Sequence, residues 1–289
     1  MAPGQTTLPV RDYDLAATLD SGQVFGWRER SGSWTGVIGC RPVRLTPTLD
    51  AIEVETPGPV TQWDWLAGFL QTEVRLESIL QTFPDDPPMR RAAAACRGLR
   101  VLRQDPWECL ASFILSSTKQ IVQIRQIVAL LRERFGDPLA ALAGEPPAFS
   151  FPSPEQIASA TESQLRECKM GFRAPSLLAA ARMITDGHFD LQRPAHLPRL
   201  EARGELMRLR GVGPKIADCV LLFAYGHDSA FPVDVWVARA LQQLYFPRRR
   251  ATEKRLQKFA ETHFGPHAGY AQQYLFHYMR TKNPQRAAD

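Results

Sequence analysis

Cysteine is sparse, five residues in a chain of 289. Cys40, Cys96, Cys109, Cys168 and Cys219 are odd in number, scattered, and never in a CxxC-like pair. That excludes a disulfide framework and the usual zinc or iron–sulfur spacings. A reducing, cytosolic compartment is therefore expected. No uninterrupted apolar run approaches the ~18 residues that span a bilayer, so no membrane partner is expected. Met1 to Arg11 have neither a basic start nor an apolar stretch and predict no secretory leader. No internal repeat is visible, which speaks against a repeat architecture. What is present is ordinary for a globular protein: 44% hydrophobic and 22% charged residues, enough chain for one large domain or two ordinary ones. Lys and Arg number 35 against 30 Asp and Glu, a net charge of +5. This modest excess is compatible with a polyanionic partner and equally with a basic cytosolic enzyme of any kind.

Two textures divide the chain. Between Gly22 and about Thr56, residues 24–27, 34–38, 43–45 and 52–54 read as short strands, with turn clusters at Ser31-Gly32-Ser33 and Gly39-Cys40-Arg41-Pro42. This spacing predicts an antiparallel meander with one covered face. Helical patterns follow at about 63–71 and 76–82. From Asp105 on, helices alternate with clear punctuation. Asp105-Pro106-Trp107-Glu108, Ser153-Pro154-Glu155-Gln156 and Thr161-Glu162-Ser163-Gln164 are helix starts. Ile121, Ile124, Val128, Leu131 and Phe135 keep helical spacing until Gly136, and Thr252 opens a helix that Gly265-Pro266 closes. The Pro-rich stretch 145–154 reads as an inter-helix loop. The expected class is α+β: an N-terminal antiparallel β-sheet domain with flanking helices over 1–103, then a mostly α-helical region over 104–289.

Most of the chemistry lies in Leu206-Met207-Arg208-Leu209-Arg210-Gly211-Val212-Gly213-Pro214-Lys215. A helix ends in Gly-Val-Gly, and Pro214 opens another. The two glycines permit a tight turn with positive φ and leave N–H groups uncovered beside a helix N-terminus. Such a setting binds a phosphate without reading sequence. Plain joining of two packed helices is the alternative, and Gly211, Val212 and Gly213 alone favour it. Lys215 lies in the first turn of the second helix, where a solvated phosphate contact is its ordinary role. Nineteen residues on, Asp234 in Phe231-Pro232-Val233-Asp234-Val235 stands where a further helix begins. There the helix dipole keeps a carboxylate ionised. A simple N-cap is the competing reading.

The Leu-Arg-Gly-Val-Gly-Pro-Lys hairpin followed by Pro-Val-Asp resembles the helix-hairpin-helix DNA glycosylases, which carry a Gly/Pro-rich hairpin and an essential Asp. Lys215 resembles the attacking lysine of their bifunctional branch. No cysteine follows Asp234, which disfavours the cluster-bearing branch. Four further stretches are similar to the 8-oxoguanine DNA glycosylases. Ser21-Gly22-Gln23-Val24-Phe25-Gly26-Trp27 resembles the strand motif whose glycine carbonyl accepts the N7–H found only on oxidised guanine. Gln104-Asp105-Pro106-Trp107-Glu108-Cys109-Leu110 with Ser116-Ser117 resembles the start of the family's helical part. Gly171-Phe172-Arg173-Ala174 resembles the loop that wedges into the duplex, and His267 to Phe276 the C-terminal pocket helix. Together these blocks run from about residue 12 to 278, and their order makes the match specific.

Lys215 and Cys219 are four apart, as are Gln272 and Phe276, so each pair shares a helix face. A flipped purine would fit between the Cys219 thiol and the Phe276 ring, with Gln272 at its edge and Gly22 nearby. Core packing is the alternative for Cys219 and Phe276 taken singly. The resemblance implies that neutral Lys215 attacks the sugar C1′, that a Schiff base forms, and that β-elimination nicks the strand. Asp234 would stabilise the cationic sugar, with Asp218 as a rival partner for Lys215 or a surface ion pair. The implied partner is double-stranded DNA containing 8-oxoguanine. No cofactor or metal is expected, beyond a monovalent cation against the hairpin carbonyls as in relatives, and the default is a monomer.

Departures from the family pattern are equally specific. Thr118-Lys119-Gln120 stands where members have an Asn-rich segment, and Gln123 where an arginine helps read the partner cytosine, although Arg173 remains. Trp236 replaces a histidine and Met279 its acidic partner, while Phe172 replaces a tyrosine. Weaker discrimination for cytosine opposite the lesion is therefore expected. Two other functions stay open on sequence: a glycosylase for another damaged base, which lacks a reason for Lys215, and a non-catalytic DNA-binding module, which lacks a reason for Gly22, Gln272 and Phe276.

Overall fold

The alternating pattern of residues 41–56 builds a sheet with one covered face. In the computed structural model, which describes residues 3–116, 119–248 and 250–282, five strands pair antiparallel: β1 (Gly4–Pro9), β2 (Arg28–Arg30), β3 (Ser33–Ile38), β4 (Arg41–Pro47) and β5 (Ala51–Thr56). Their order is β1-β5-β4-β3-β2, a meander with the first strand added outside the last. Val43 and Leu45 of β4 and Ile52 and Val54 of β5 point inward. They pack against Leu15 and Leu19 of helix α1 (Leu15–Asp20) and Leu66, Phe69 and Leu70 of α2 (Asp64–Leu70).

Residues 24–27, expected as a strand, are irregular, and the strand begins at Arg28 instead. Their apolar side chains are divided between two cores: Val24 and Trp27 enter the sheet's core, whereas Phe25 turns to the helical core and meets Phe113 edge-on at 5.6 Å. The segment just before them is tied down by side-chain amides. Buried Gln23 donates to the Thr18 and Arg100 carbonyls and accepts from the Leu102 N–H. Gln104 in turn donates to the Gln23 carbonyl at 2.7 Å.

Helices α3 (Leu76–Leu80) and α4 (Pro87–Ala95) follow, and their apolar residues Leu76, Ile79, Met89 and Ala92 join the helical core rather than the sheet's. Beyond them come α5 (Pro106–Leu115), α6 (Ile121–Phe135), α7 (Pro154–Ser159), α8 (Glu162–Leu165), α9 (Ala174–Thr185), α10 (Arg199–Leu206), α11 (Pro214–Val220), α12 (Val235–Tyr245), α13 (Glu253–His263) and α14 (Ala268–Lys282). The capping residues act as read: Asp105, Ser153, Thr161 and Thr252 each accept from an N–H in the first turn of the helix they precede. The loop containing the Pro-rich stretch carries a two-residue ladder, β6 (Pro138–Leu139) with β7 (Ala148–Phe149). Among the described residues no helix is long and apolar enough to cross a membrane.

The seating of α14 depends on one glycine. Gly269 donates its N–H to the Asp228 carbonyl at 2.7 Å, and a Cβ there would lie 2.2 Å from Leu222 Cδ1 and 2.8 Å from the Ala230 carbonyl oxygen. Backbone so close cannot yield to a methyl group without moving the helix. Gly269→Ala is expected to destabilise the fold by about 1–3 kcal/mol, a fall in Tm of roughly 2–4 °C per kcal/mol for a chain of this size. Calorimetry on the variant checks this, and an unchanged Tm would show that the helix seats itself in another way.

Candidate active site

Helices α10 and α11 form a hairpin joined by residues 207–213. Gly211 has φ +82°, and a Cβ on it would meet Ser176 Oγ at 2.6 Å, so conformation and space both demand glycine. Gly213 differs from the expectation of a second positive φ. It is the N-cap of α11 in extended conformation, φ −99° and ψ −178°, which any residue adopts. Nothing lies within 4 Å of where its Cβ would be. Its small size therefore keeps the amides at the start of α11 open to a ligand and does not relieve strain. Val212 between them is buried in the helical core and anchors the turn.

The hairpin delivers Lys215 to a cavity of about 1610 Å³. Its Nζ donates to Ser116 Oγ at 2.9 Å and sits 5.4 Å from the centre of the Phe113 ring. Gly22, Cys219, Asp234, Gln272 and Phe276 line the same cavity, although they come from both ends of the chain. Gly22 has φ +79° and packs so closely that a Cβ would be 2.6 Å from Ile121 Cδ1 and 3.3 Å from Phe276 Cε1. Gln272 is buried, and among the described residues its Oε1 has no hydrogen-bond partner. A buried acceptor left open is costly, and a ligand N–H would satisfy it.

Burial sets the protonation of the acids and the thiol. Desolvation pushes the Cys219 thiol up to about 12, against a smaller downward pull from Lys215, so it is a neutral thiol at pH 7. Asp234 accepts the Val237 N–H at 2.8 Å as the N-cap of α12. The sequence predicts that the helix start keeps it readily ionised. Its carboxyl is instead raised above the ordinary value, because burial outweighs the lowering by Lys215, the Val237 and Trp236 N–H groups and Arg280. Asp218 is neither a surface ion pair nor a partner of Lys215. It is buried and pairs across the hairpin with Arg203 at 3.2 Å, with its Oδ1 unpartnered among the described residues. Desolvation raises it to about 6 in spite of Arg203.

The remaining predicted residues lie around the rim or outside it. Lys119, Arg173 and Trp236 line the cavity, and Arg239 stacks over the Trp236 ring at 5.5 Å. Phe172 is exposed on the loop after α8, with the Arg173 guanidinium 5.0 Å from its ring. That loop holds Lys169 at φ +63° and Gly171 at φ +57°. Gln123 is exposed and turned back on its own helix, where its Oε1 accepts the Gln120 N–H at 3.1 Å. Thr118 lies outside the described residues. Sequence reasoning gave no role to Phe113, Gln273 or Arg280. Arg280 reaches over the Phe276 ring at 5.6 Å and donates to the Asp20 carbonyl, and Gln273 donates to the Ser21 carbonyl. The four-residue spacing from Phe276 to Arg280 was a usable signal, whereas nothing in the sequence shows which carbonyls these donors reach.

Comparison with known proteins agrees with this arrangement. The family model described as 8-oxoguanine DNA glycosylase, N-terminal domain, matches residues 6–110. That described as HhH-GPD superfamily base excision DNA repair protein matches residues 111–266. The chain is 31% identical to the N-glycosylase/DNA lyase OGG1 of Arabidopsis thaliana, over 92% of this chain and 77% of the relative. Among solved structures it is similar to MBOgg1 in complex with a low-affinity DNA ligand, with TM-score 0.92, 34% identity and 96% of each chain covered. It is also similar to the 8-oxoguanine glycosylase/lyase of Clostridium acetobutylicum bound to double-stranded DNA containing cytosine opposite 8-oxoguanine. There the TM-score is 0.89 and the identity 29%, with 96% of this chain and 98% of that one covered.

The raised carboxyl of Asp218 has a consequence for stability. A group whose folded value lies above its unfolded value favours the fold in its protonated form. That contribution is whole below the unfolded value of 3.8 and is lost as pH rises through about 6. Asp218→Asn keeps the shape and cannot ionise. Its stability relative to the parent is expected to improve by roughly 2–3 kcal/mol between pH 4 and pH 7.5. Denaturant titrations of both proteins at the two pH values check this, and a pH-independent difference would contradict it.

Proposed function

Since the chain belongs to the 8-oxoguanine DNA glycosylases of the HhH-GPD superfamily, we propose that Lys215 and Asp234 carry its chemistry and that Gly22, Cys219, Gln272 and Phe276 hold the base. The protein is a bifunctional DNA N-glycosylase with AP lyase activity, a base-excision-repair enzyme whose partner is duplex DNA containing 8-oxoguanine. The observation that carries the assignment is the position of Lys215 Nζ: inside the shared cavity, bonded to Ser116 Oγ, with Asp234 lining the same cavity and its carboxyl drawn downward by the Lys215 charge.

A nucleotide extruded from the duplex enters the cavity at a cost of a few kcal/mol, offset by pocket and wedge contacts. The base lies between the neutral Cys219 thiol and the Phe276 ring. The open Gln272 Oε1 accepts an N–H from its edge, and the Gly22 carbonyl accepts the N7–H of the oxidised ring. The Lys215 amine, freed of its proton, attacks C1′ and displaces the base, which leaves protonated; breaking of the C1′–O4′ bond then opens the sugar to a Schiff base, from which β-elimination cuts the strand. Asp234 in its ionised form stabilises the positive charge that develops on the sugar. Its raised carboxyl implies that activity falls on acidification sooner than an ordinary aspartate would dictate. The hairpin amides around Gly211, Val212 and Gly213 grip a backbone phosphate. Phe172 fills the duplex from the loop after α8, and Arg173, Lys119 and Trp236 line the approach, with Thr118 assigned beside them on sequence alone.

Opposite-base preference is the finer part of the reading. With Gln123 folded back to cap α6, no guanidinium reaches the partner cytosine from that position, and Arg173 alone remains. A relaxed preference follows. Action as a monomer is proposed as the default. The division into a sheet region, 1–103, and a helical region, 104–289, is likewise proposed, with Gly22 contributed by the first and Lys215 and Phe276 by the second. We assign the enzyme to the compartment that holds the DNA: the cytoplasm of a bacterium, or the nucleus if the cell has one.

Lys215→Gln is expected to abolish both borohydride trapping on 8-oxoguanine duplex and strand nicking, and a variant that still nicks at the parental rate refutes the nucleophile. Asp234→Asn is expected to bind lesion DNA nearly as well as the parent while turnover falls by about 100-fold or more. Excision rates opposite C, T, G and A should be comparable, and a strong preference for cytosine would contradict the reading of Gln123.

A further inference from the structure

The backbone around Gly22 is gripped from the far end of the chain. Gln273 Nε2 donates to the Ser21 carbonyl at 3.1 Å across 252 residues, and Arg280 Nη1 donates to the Asp20 carbonyl at 3.2 Å across 260. On the other side, Gln104 Nε2 donates to the Gln23 carbonyl at 2.7 Å. The carbonyls of Asp20, Ser21 and Gln23 are thus each engaged by a side-chain donor. Among the described residues no hydrogen bond reaches that of Gly22.

This matters because a glycine at φ +79° is conformationally soft. The peptide plane carrying its carbonyl lies between those carrying the Ser21 and Gln23 carbonyls. With both neighbours held, that plane cannot swing, and its oxygen keeps one direction. Gln273 is buried at 2% exposure and sits next to Gln272 on α14, so the helix that meets the base's edge also fixes the carbonyl that would read its N7. Oxidised guanine presents N7–H there and guanine presents a lone pair. The same oxygen therefore attracts one and repels the other only while it stays aimed.

We infer that Gln273 and Arg280 are positioning residues for lesion recognition: through the Ser21 and Asp20 carbonyls they hold the Gly22 carbonyl where it tells oxidised guanine from guanine. This rests on the reading that Gly22 accepts the N7–H. A displacement of about 1 Å at a recognition contact costs on the order of 100-fold in rate.

The test is single-turnover cutting of two duplexes, one with 8-oxoguanine opposite cytosine and one with a preformed abasic site, which has no base to read. Gln273→Met and Arg280→Met are expected to slow 8-oxoguanine excision by about 10- to 100-fold, while cutting of the abasic site stays near the parental rate in Gln273→Met and falls far less than excision in Arg280→Met, which also removes a charge that favours the Asp234 carboxylate. Arg280→Lys, which keeps a donor, is expected to recover most of the loss. Excision at the parental rate in both Met variants overturns the inference. So does a parallel fall on both duplexes, which marks a merely structural role. Arg280 is only partly buried, so its series decides the matter even where Gln273→Met does not fold. A parental enzyme unable to cut abasic DNA would strike the Lys215 assignment instead.

Discussion

The cavity depends on a fastening between the two ends of the chain. Residues 20–23 and helix α14 are more than 250 positions apart, yet each satisfies the other's buried polar groups. Buried amides must find partners, because leaving one unmet costs about 1–3 kcal/mol. Gln23, Gln104 and Gln273 find theirs in backbone carbonyls around the pocket glycine, so the need to pair polar groups and the need to shape a pocket have one solution. Gly269 supports it by letting α14 press against the backbone of residues 228–230. Loosen that seat and Gln272, Gln273, Phe276 and Arg280 move together.

Burial is also the dominant electrostatic influence on the acids. It raises Asp234, Asp218 and Cys219 alike, and in each case a nearby cation or N–H group pulls the other way without prevailing. The consequences differ because the neighbours differ. Cys219 is left as an apolar, neutral wall. Asp218 is locked to Arg203 across the hairpin and braces the two helices that present Lys215. Asp234 is held at a helix start and lines the cavity, where the role proposed for it, stabilising a cationic sugar, would draw on a partly dehydrated carboxylate.

Local signals carried much of the fold. Side-chain oxygens three residues before a matching partner set the starts of α5, α7, α8 and α13, since a cap is satisfied within one turn and needs no tertiary help. The meander from β3 to β5 was legible because one buried face imposes a period of two. Residues 24–27 are apolar without forming a strand: Val24, Phe25 and Trp27 are all buried but divided between two cores, and apolar composition reports burial, not which groups bond the backbone. Strand β1 gave no comparable signal. The hairpin was readable as Gly-Val-Gly-Pro-Lys, yet only coordinates separate a glycine forced by φ at Gly211 from one kept for open space at Gly213.

The sequence by itself determined the order of elements, the residue types available for the chemistry, and through its resemblance the family. These depend on contacts within a few residues or on motifs kept in line. Tertiary structure alone decided that Lys215 bonds Ser116, that Asp218 faces Arg203, that Gln123 caps its own helix, and that Gln273 and Arg280 reach the backbone before Gly22. Each of these is a choice among several partners of equal local merit. Which of them lies within bonding reach is set by how helices pack in space, a quantity that spacing along a chain does not contain.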